Sequence, residues 1–231
     1  MYRYLFFDAD GTLFDFERAE HQAFWSMAEA LNLRLSFEHE LLYKKCNLSC
    51  WKAFEQGVLT LERLKSKRFE LFLQELSIQL DPAVASNLYQ HHLSLQGILF
   101  DQSKEILQTL KNRGYVLYLA SNGISSVQKS RIKIANIEHF FEKIYISEEI
   151  GFQKPDPRFF DAMFQAAGLE KQKNHCLMIG DSLSSDIKGG LSSGIDTLYL
   201  NLQNKTNDTA IVPTYTVTSL EAIIPLLINP N

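Results

Sequence analysis

The 231-residue sequence predicts an α/β protein: a doubly wound parallel sheet with an inserted all-helical cap domain. Two observations carry that expectation. From residue 97 onward, short and continuously apolar runs alternate with amphipathic stretches, the pattern of strands buried on both faces and joined by crossover helices. A further apolar run, Leu5-Phe6-Phe7, stands alone near the amino end, and the residues between it and the alternating region carry helical periodicity with no convincing strand.

The elements follow in order. Leu5-Phe6-Phe7 reads as the first strand. Residues 17–31, 41–54, 61–76 and 84–95 read as helices, punctuated by Gly57 and Asp81-Pro82. A helix over 102–111 ends at Gly114 and feeds a strand at 115–120. Helices over 126–135, 157–167 and 184–193 then alternate with strands at 143–147, 175–180 and 196–200. A last strand lies near 215–218 and a last helix near 220–228. The domain boundaries expected from this are an α/β core at 1–15 and 97–231 and a helical cap at 16–96. With 45% hydrophobic residues the chain can bury a sizeable core.

Charge and composition narrow the class. A formal net charge of -4 with scattered Lys and Arg argues against a nucleic-acid polymer as partner. Cys46, Cys50 and Cys176 make no disulfide framework and fit a reducing compartment as core thiols. No apolar run approaches the about 20 residues of a membrane span, and the amino end lacks a signal-peptide pattern. The expectation is a cytoplasmic protein, monomer or homodimer, with no membrane partner.

The residues able to do chemistry sit at strand ends. Asp8 and Asp10 follow the first strand with one residue between them, then Gly11-Thr12 turns the chain. On an extended strand both carboxylates point to one side, and crowded negative charge calls for a cation. Ser121-Asn122-Gly123, Lys154-Pro155 and Gly180-Asp181, with Asp186 five residues on, occupy later strand ends or the loops beyond them. Taken singly these are a turn, an exposed lysine and a helix cap. Taken together, strand-end loops of a parallel sheet converge on one edge, so carboxylates for a hard cation meet a hydroxyl, backbone N–H groups and a lysine suited to an anion.

Asp8-Ala9-Asp10-Gly11-Thr12-Leu13, Ser121-Asn122-Gly123, Lys154-Pro155 and Gly180-Asp181-Ser182-Leu183-Ser184-Ser185-Asp186 resemble, in order and spacing, the motifs of the haloacid dehalogenase superfamily, most of whose members are magnesium-dependent phosphatases. The resemblance implies a role for each. Asp8 would be the nucleophile that forms an aspartyl-phosphate, and Asp10 the acid and then base. Ser121 and the backbone N–H of Asn122 would bind the phosphoryl group, and Lys154 would offset the charge of Asp8 and the phosphate. Asp181, with Asp8 and the backbone carbonyl of Asp10, would hold Mg2+, and Asp186 would support that shell or Lys154. Asp10 sets the chain apart from the superfamily's dehalogenases, which lack an aspartate there.

A finer resemblance covers nearly the whole chain. Trp51-Lys52-Ala53-Phe54-Glu55-Gln56-Gly57, Gly151-Phe152-Gln153-Lys154-Pro155, Asp186-Ile187-Lys188-Gly189-Gly190 and Gly194-Ile195-Asp196-Thr197 are similar to the pyrimidine 5'-nucleotidase subgroup, whose house-cleaning members dephosphorylate nucleoside monophosphates. This implies a small phosphomonoester substrate of the nucleoside 5'-monophosphate class. The competing readings are a sugar-phosphate phosphatase or phosphomutase of the same superfamily, and a non-catalytic phosphate-ligand binder. Phe14, Phe16 and Trp51 are candidates to stack a base, and His21, His39, His91 and His92 lie in the helical segment. A cap closing over the core would exclude water from the leaving group.

Overall fold

In the computed structural model, which describes residues 1–228, six strands form one parallel sheet. β1 (Tyr4–Phe7) lies between β2 (Val116–Ser121) and β4 (Cys176–Gly180). Beyond β2 lies β3 (Lys143–Ile146); beyond β4 lie β5 (Asp196–Leu200) and β6 (Tyr215–Val217). The chain runs outward from β1 through β2 to β3, then returns to the other side of β1 for β4. The winding reverses there, and a crevice outside the carboxyl end of β1 is the expected ligand position.

β1 takes the centre because both of its faces are apolar. Phe6 belongs to a buried cluster with Tyr118, Met178, Phe160 and Phe164, while Leu5 and Phe7 on the opposite face are equally inaccessible. Phe7 is in register with Leu119 and Ile179, so Asp8 begins flanked by the last residues of β2 and β4.

Ten helices are described, and four of them fill the segment after β1: α1 (Phe16–Ala30), α2 (Phe37–Glu55), α3 (Leu61–Glu75) and α4 (Pro82–Ser94). Their starts are chemically marked. Thr60 Oγ1 accepts from the Arg63 N–H at 3.2 Å, and Asp81 accepts from the Ala83 N–H at 2.9 Å with Pro82 in the first turn. α2 starts before the expected residue 41, because the Ser36 N–H is satisfied by His39 Nδ1 at 3.0 Å. The remaining helices are α5 (Ser103–Asn112), α6 (Ser125–Ala135), α7 (Ser147–Ile150), α8 (Pro157–Ala167), α9 (Lys188–Ser192) and α10 (Ile223–Ile228). No helix among the described residues is long and apolar enough to cross a membrane.

The chain divides into two compact units. One holds the sheet and comprises residues 1–15, 99–125 and the chain from 135 onward; the other holds Phe16–Ile98 and Ser126–Ile134. The sequence places residues 126–135 with the core, whereas the structure packs most of α6 in the helical unit. There Arg131 donates from Nε to the Gln96 carbonyl at 3.0 Å and lies over the Phe16 ring. Helical periodicity reveals an apolar face but not what covers it.

The interior of the helical unit is aromatic: Phe24, Tyr43, Phe69, Phe72 and Tyr89 pack with ring centroids 5.1 to 5.8 Å apart. Buried Arg68 lies over Tyr89 and donates to Asn47 Oδ1, and Asn47 donates to Glu20 Oε1 at 2.7 Å. Burial pushes the Glu20 carboxyl up to about 7.

The helix expected over 184–193 is two pieces. A π-helical turn at Leu183–Ile187 precedes α9, and Asp186 sits in that wide turn.

Candidate active site

Asp8 continues β1 by one residue, its N–H donating to the Ile179 carbonyl at 2.8 Å, so its position is fixed by the sheet. The chain then reverses: Leu13 and Phe14 both donate to the Ala9 carbonyl at 2.9 Å, and Gly11 adopts a φ of +83°. A side chain at Gly11 is excluded twice over, because a Cβ there would lie 2.4 Å from Asp181 Oδ2.

Lys154 reaches this point from the loop after α7 and is 1% exposed. Its ammonium donates to Asp8 Oδ1 at 2.6 Å, to Asp186 Oδ1 at 2.7 Å and to the Ala120 carbonyl at 2.5 Å. All three N–H donors are therefore committed to protein atoms. The carboxylate neighbours outweigh burial, which alone would lower the lysine's pKa, and hold it above its ordinary value. Lys154 is a fixed positive charge.

Asp186 is anchored at both oxygens, since Oδ2 accepts from the Ser182 N–H at 3.1 Å. Gly180 makes room for it; a Cβ at that position would lie 2.2 Å from Asp186 Oδ2. Among the described residues, one group of carboxylates is arranged to hold a metal: ligand oxygens of Asp8, Asp181 and Asp186 lie within 4.8 Å of one another. Burial, opposed by Lys154 and reinforced by Asp186 and Asp181, holds Asp8 well above the usual carboxylate range. Burial and the charge of Asp186 push Asp181 up to about 7.

Asp8 is crowded by the two later aspartates as well. β1 ends before Asp8, and Asp10 lies in the reversing turn, bridged through its backbone to Phe14. Asp10 acts on the cluster through Asp181, whose pKa its charge helps to raise.

Three carboxylates against one ammonium leave surplus negative charge, and their oxygens are hard donors of the kind Mg2+ takes. Only Oδ1 of Asp8 accepts a hydrogen bond among the described residues, and Asp181 accepts none there from another residue. The donor set fits a divalent cation, with Asp181 offering uncommitted oxygens, Asp8 a second lone pair on Oδ1 beside the one Lys154 uses, and Asp186 already taken up by Lys154 and Ser182.

Ser121 ends β2 and is 2% exposed, its Oγ accepting from the Gly123 N–H at 3.0 Å. Asn122 behaves in a way the sequence did not disclose. Its side-chain amide spans to the Lys154 backbone, Nδ2 donating to the carbonyl at 2.9 Å and Oδ1 accepting from the N–H at 2.8 Å. The only sequence signal for this is that Asn122 is an amide next to Ser121. The Ala120 carbonyl and Ser182 N–H were likewise missed, being backbone groups with no residue signature.

Of the stacking candidates, Phe14 is fully buried and offers no face to a ligand, contrary to the expectation that it could stack a base. Trp51 is half-buried and packs edge-on against Phe54. His39 is engaged at the start of α2, and His21 pairs through Nδ1 with buried Glu40 at 2.9 Å. Cys46, Cys50 and Cys176 are buried free thiols.

A family model of haloacid dehalogenase-like hydrolases matches residues 2–194. The pyrimidine 5'-nucleotidase PynA of Streptococcus pneumoniae is 34% identical over 98% of this chain and 95% of its own length. The pyrimidine 5'-nucleotidase YjjG of Escherichia coli is 29% identical over 97% of both chains. A magnesium-bound crystal structure of the HAD-hydrolase YfnB from Bacillus subtilis superposes with a TM-score of 0.91 at 34% identity, covering 99% of each chain. With the family match spanning most of the sequence and the acidic crevice lying where the sheet reverses its winding, the chain belongs to the haloacid dehalogenase-like hydrolases.

Proposed function

We propose that this protein is a Mg2+-dependent phosphatase that acts through an aspartyl-phosphate on Asp8, with pyrimidine nucleoside 5'-monophosphates as its substrates. The observation that carries the reading is the asymmetric engagement of Asp8: Oδ1 is tied to Lys154 while Oδ2 carries no hydrogen bond among the described residues. A carboxylate held at one oxygen and open at the other is oriented to attack.

Asp8 Oδ2 attacks phosphorus and the bond to the leaving oxygen breaks, with Asp10 giving that oxygen its proton. Asp10 then takes a proton from the water that attacks the phosphoryl group, which leaves Asp8 as inorganic phosphate and restores the carboxylate. The Ser121 hydroxyl and the Asn122 backbone N–H hold phosphoryl oxygens, and Lys154 contributes charge rather than a hydrogen bond, its donors being committed. Asp8, Asp181 and the Asp10 backbone carbonyl would hold Mg2+, which when bound offsets charge on the phosphoryl oxygens. Asp186 supports the arrangement through Lys154.

The substrate class rests on the likeness, along nearly the whole chain, to proteins named as pyrimidine 5'-nucleotidases. The test is a phosphoester panel with Mg2+, following free phosphate. The expected result is highest kcat/KM for UMP or dTMP. Higher kcat/KM for sugar phosphates would overturn the substrate assignment, isomerised sugar phosphate without release would make the protein a mutase, and binding without turnover would remove the catalytic reading.

A further inference from the structure

The geometry points to Asn122 as a positioning residue whose side chain acts through Lys154, a role distinct from phosphate binding by its backbone N–H. This inference rests on the proposed charge role of Lys154. The amide of Asn122 meets both backbone groups of Lys154, at 2.8 and 2.9 Å, in the way that one strand pairs with its neighbour. Asn122 is itself held, its carbonyl accepting from buried Ser147 Oγ at 3.3 Å. Lys154 lies in the loop after α7, outside any strand or helix, and no sheet ladder fixes its Cα. Yet its Nζ must reach three acceptors within 2.5 to 2.7 Å, on β2, on the extension of β1 and in the π-helical turn.

A flexible four-carbon stem can meet that demand reproducibly only if its backbone origin is fixed. The Asn122 clamp supplies the fix, and it ties the lysine to the strand that also carries Ala120 and Ser121. Both amide groups are used on Lys154, and no further side-chain bond of Asn122 exists among the described residues. The side chain thus spends its oxygen and one of its two N–H donors on the Lys154 backbone.

The test compares Asn122→Ala, Lys154→Met and the double variant with the intact enzyme, under saturating Mg2+ and the best phosphoester of the panel. Positioning predicts that Asn122→Ala lowers kcat about tenfold or more with KM within about twofold, and speeds hydrogen exchange of the Lys154 amide. It further predicts that Asn122→Ala removes little more once Lys154 is Met. A risen KM with kcat retained, or full additivity in the double variant, would assign the side chain to substrate binding and overturn the inference; unchanged kcat and exchange would overturn it equally. Should Lys154→Met be inactive, or Asn122→Ala fail to fold, Asn122→Asp decides. It keeps the acceptor for the Lys154 N–H, so amide protection must persist, and its loss would overturn the inference. Full activity in Lys154→Met would instead refute the charge role itself, which separates the two failures.

Discussion

Replacing Lys154 by Met keeps most of the stem volume and removes the charge. Asp8 and Asp186, 8% and 1% exposed, then face each other without their shared ammonium. Removing one partner of a buried ion pair costs about 3–5 kcal/mol, since the remaining charge stays desolvated. For a chain of this size each kcal/mol moves Tm by about 2–4 °C, so the variant should melt about 6–20 °C lower at pH 8 with chelator present. The pH dependence carries a sign. Burial already raises Asp8, and loss of the opposing lysine raises it further. A group raised in the folded state stabilises fully below its unfolded pKa, about 4, and loses that contribution as pH rises through the folded value. The deficit of the variant relative to wild type should therefore shrink as pH falls from 8 toward 4. Urea titrations at several pH values read it directly. A deficit under about 1 kcal/mol at pH 8, or one that grows on acidification, would refute the ammonium as the neutralising centre of the cluster.

Other consequences are as concrete. Asp181, raised to about 7, should make metal-free protein less stable as pH rises from about 4 through 7; Mg2+ should raise Tm more at pH 8 than at pH 5, because protons compete for the same oxygens. Thermal melts with and without EDTA check both. Gly180→Ala drives a methyl to 2.2 Å from Asp186 Oδ2, so stability should fall by about 1–3 kcal/mol in urea titration and kcat should fall with it as Asp186 leaves Lys154.

The sheet was legible because β1, β2 and β4 are buried on both faces, which writes a continuous apolar run, and their polar ends located Asp8, Ser121 and Asp181. What pairwise spacing could not show is which carboxylates meet. Asp8 and Asp10 nearly adjoin in sequence, whereas the Asp181 and Asp186 carboxylates that gather with Asp8 come from beyond β4. Asp186 comes in from a π-helical turn that apolar periodicity reads as ordinary helix. Three of the five hydrogen bonds that fix Lys154 among the described residues involve backbone: the Ala120 carbonyl, and its own N–H and C=O on Asn122. Main-chain acceptors carry no residue type, so only the folded chain reveals them.

The central claim is that Asp8 carries the phosphoryl group and Asp10 moves the proton. The direct measurement is acid-quenched peptide mass spectrometry of Asp10→Asn mixed with Mg2+ and p-nitrophenyl phosphate, whose leaving group needs no proton. Without its base the variant should stall after transfer. One phosphoryl group is expected on the peptide containing Asp8, accumulating as nitrophenolate is released. Nitrophenolate released with that peptide unmodified, or with the group on another residue, would contradict it.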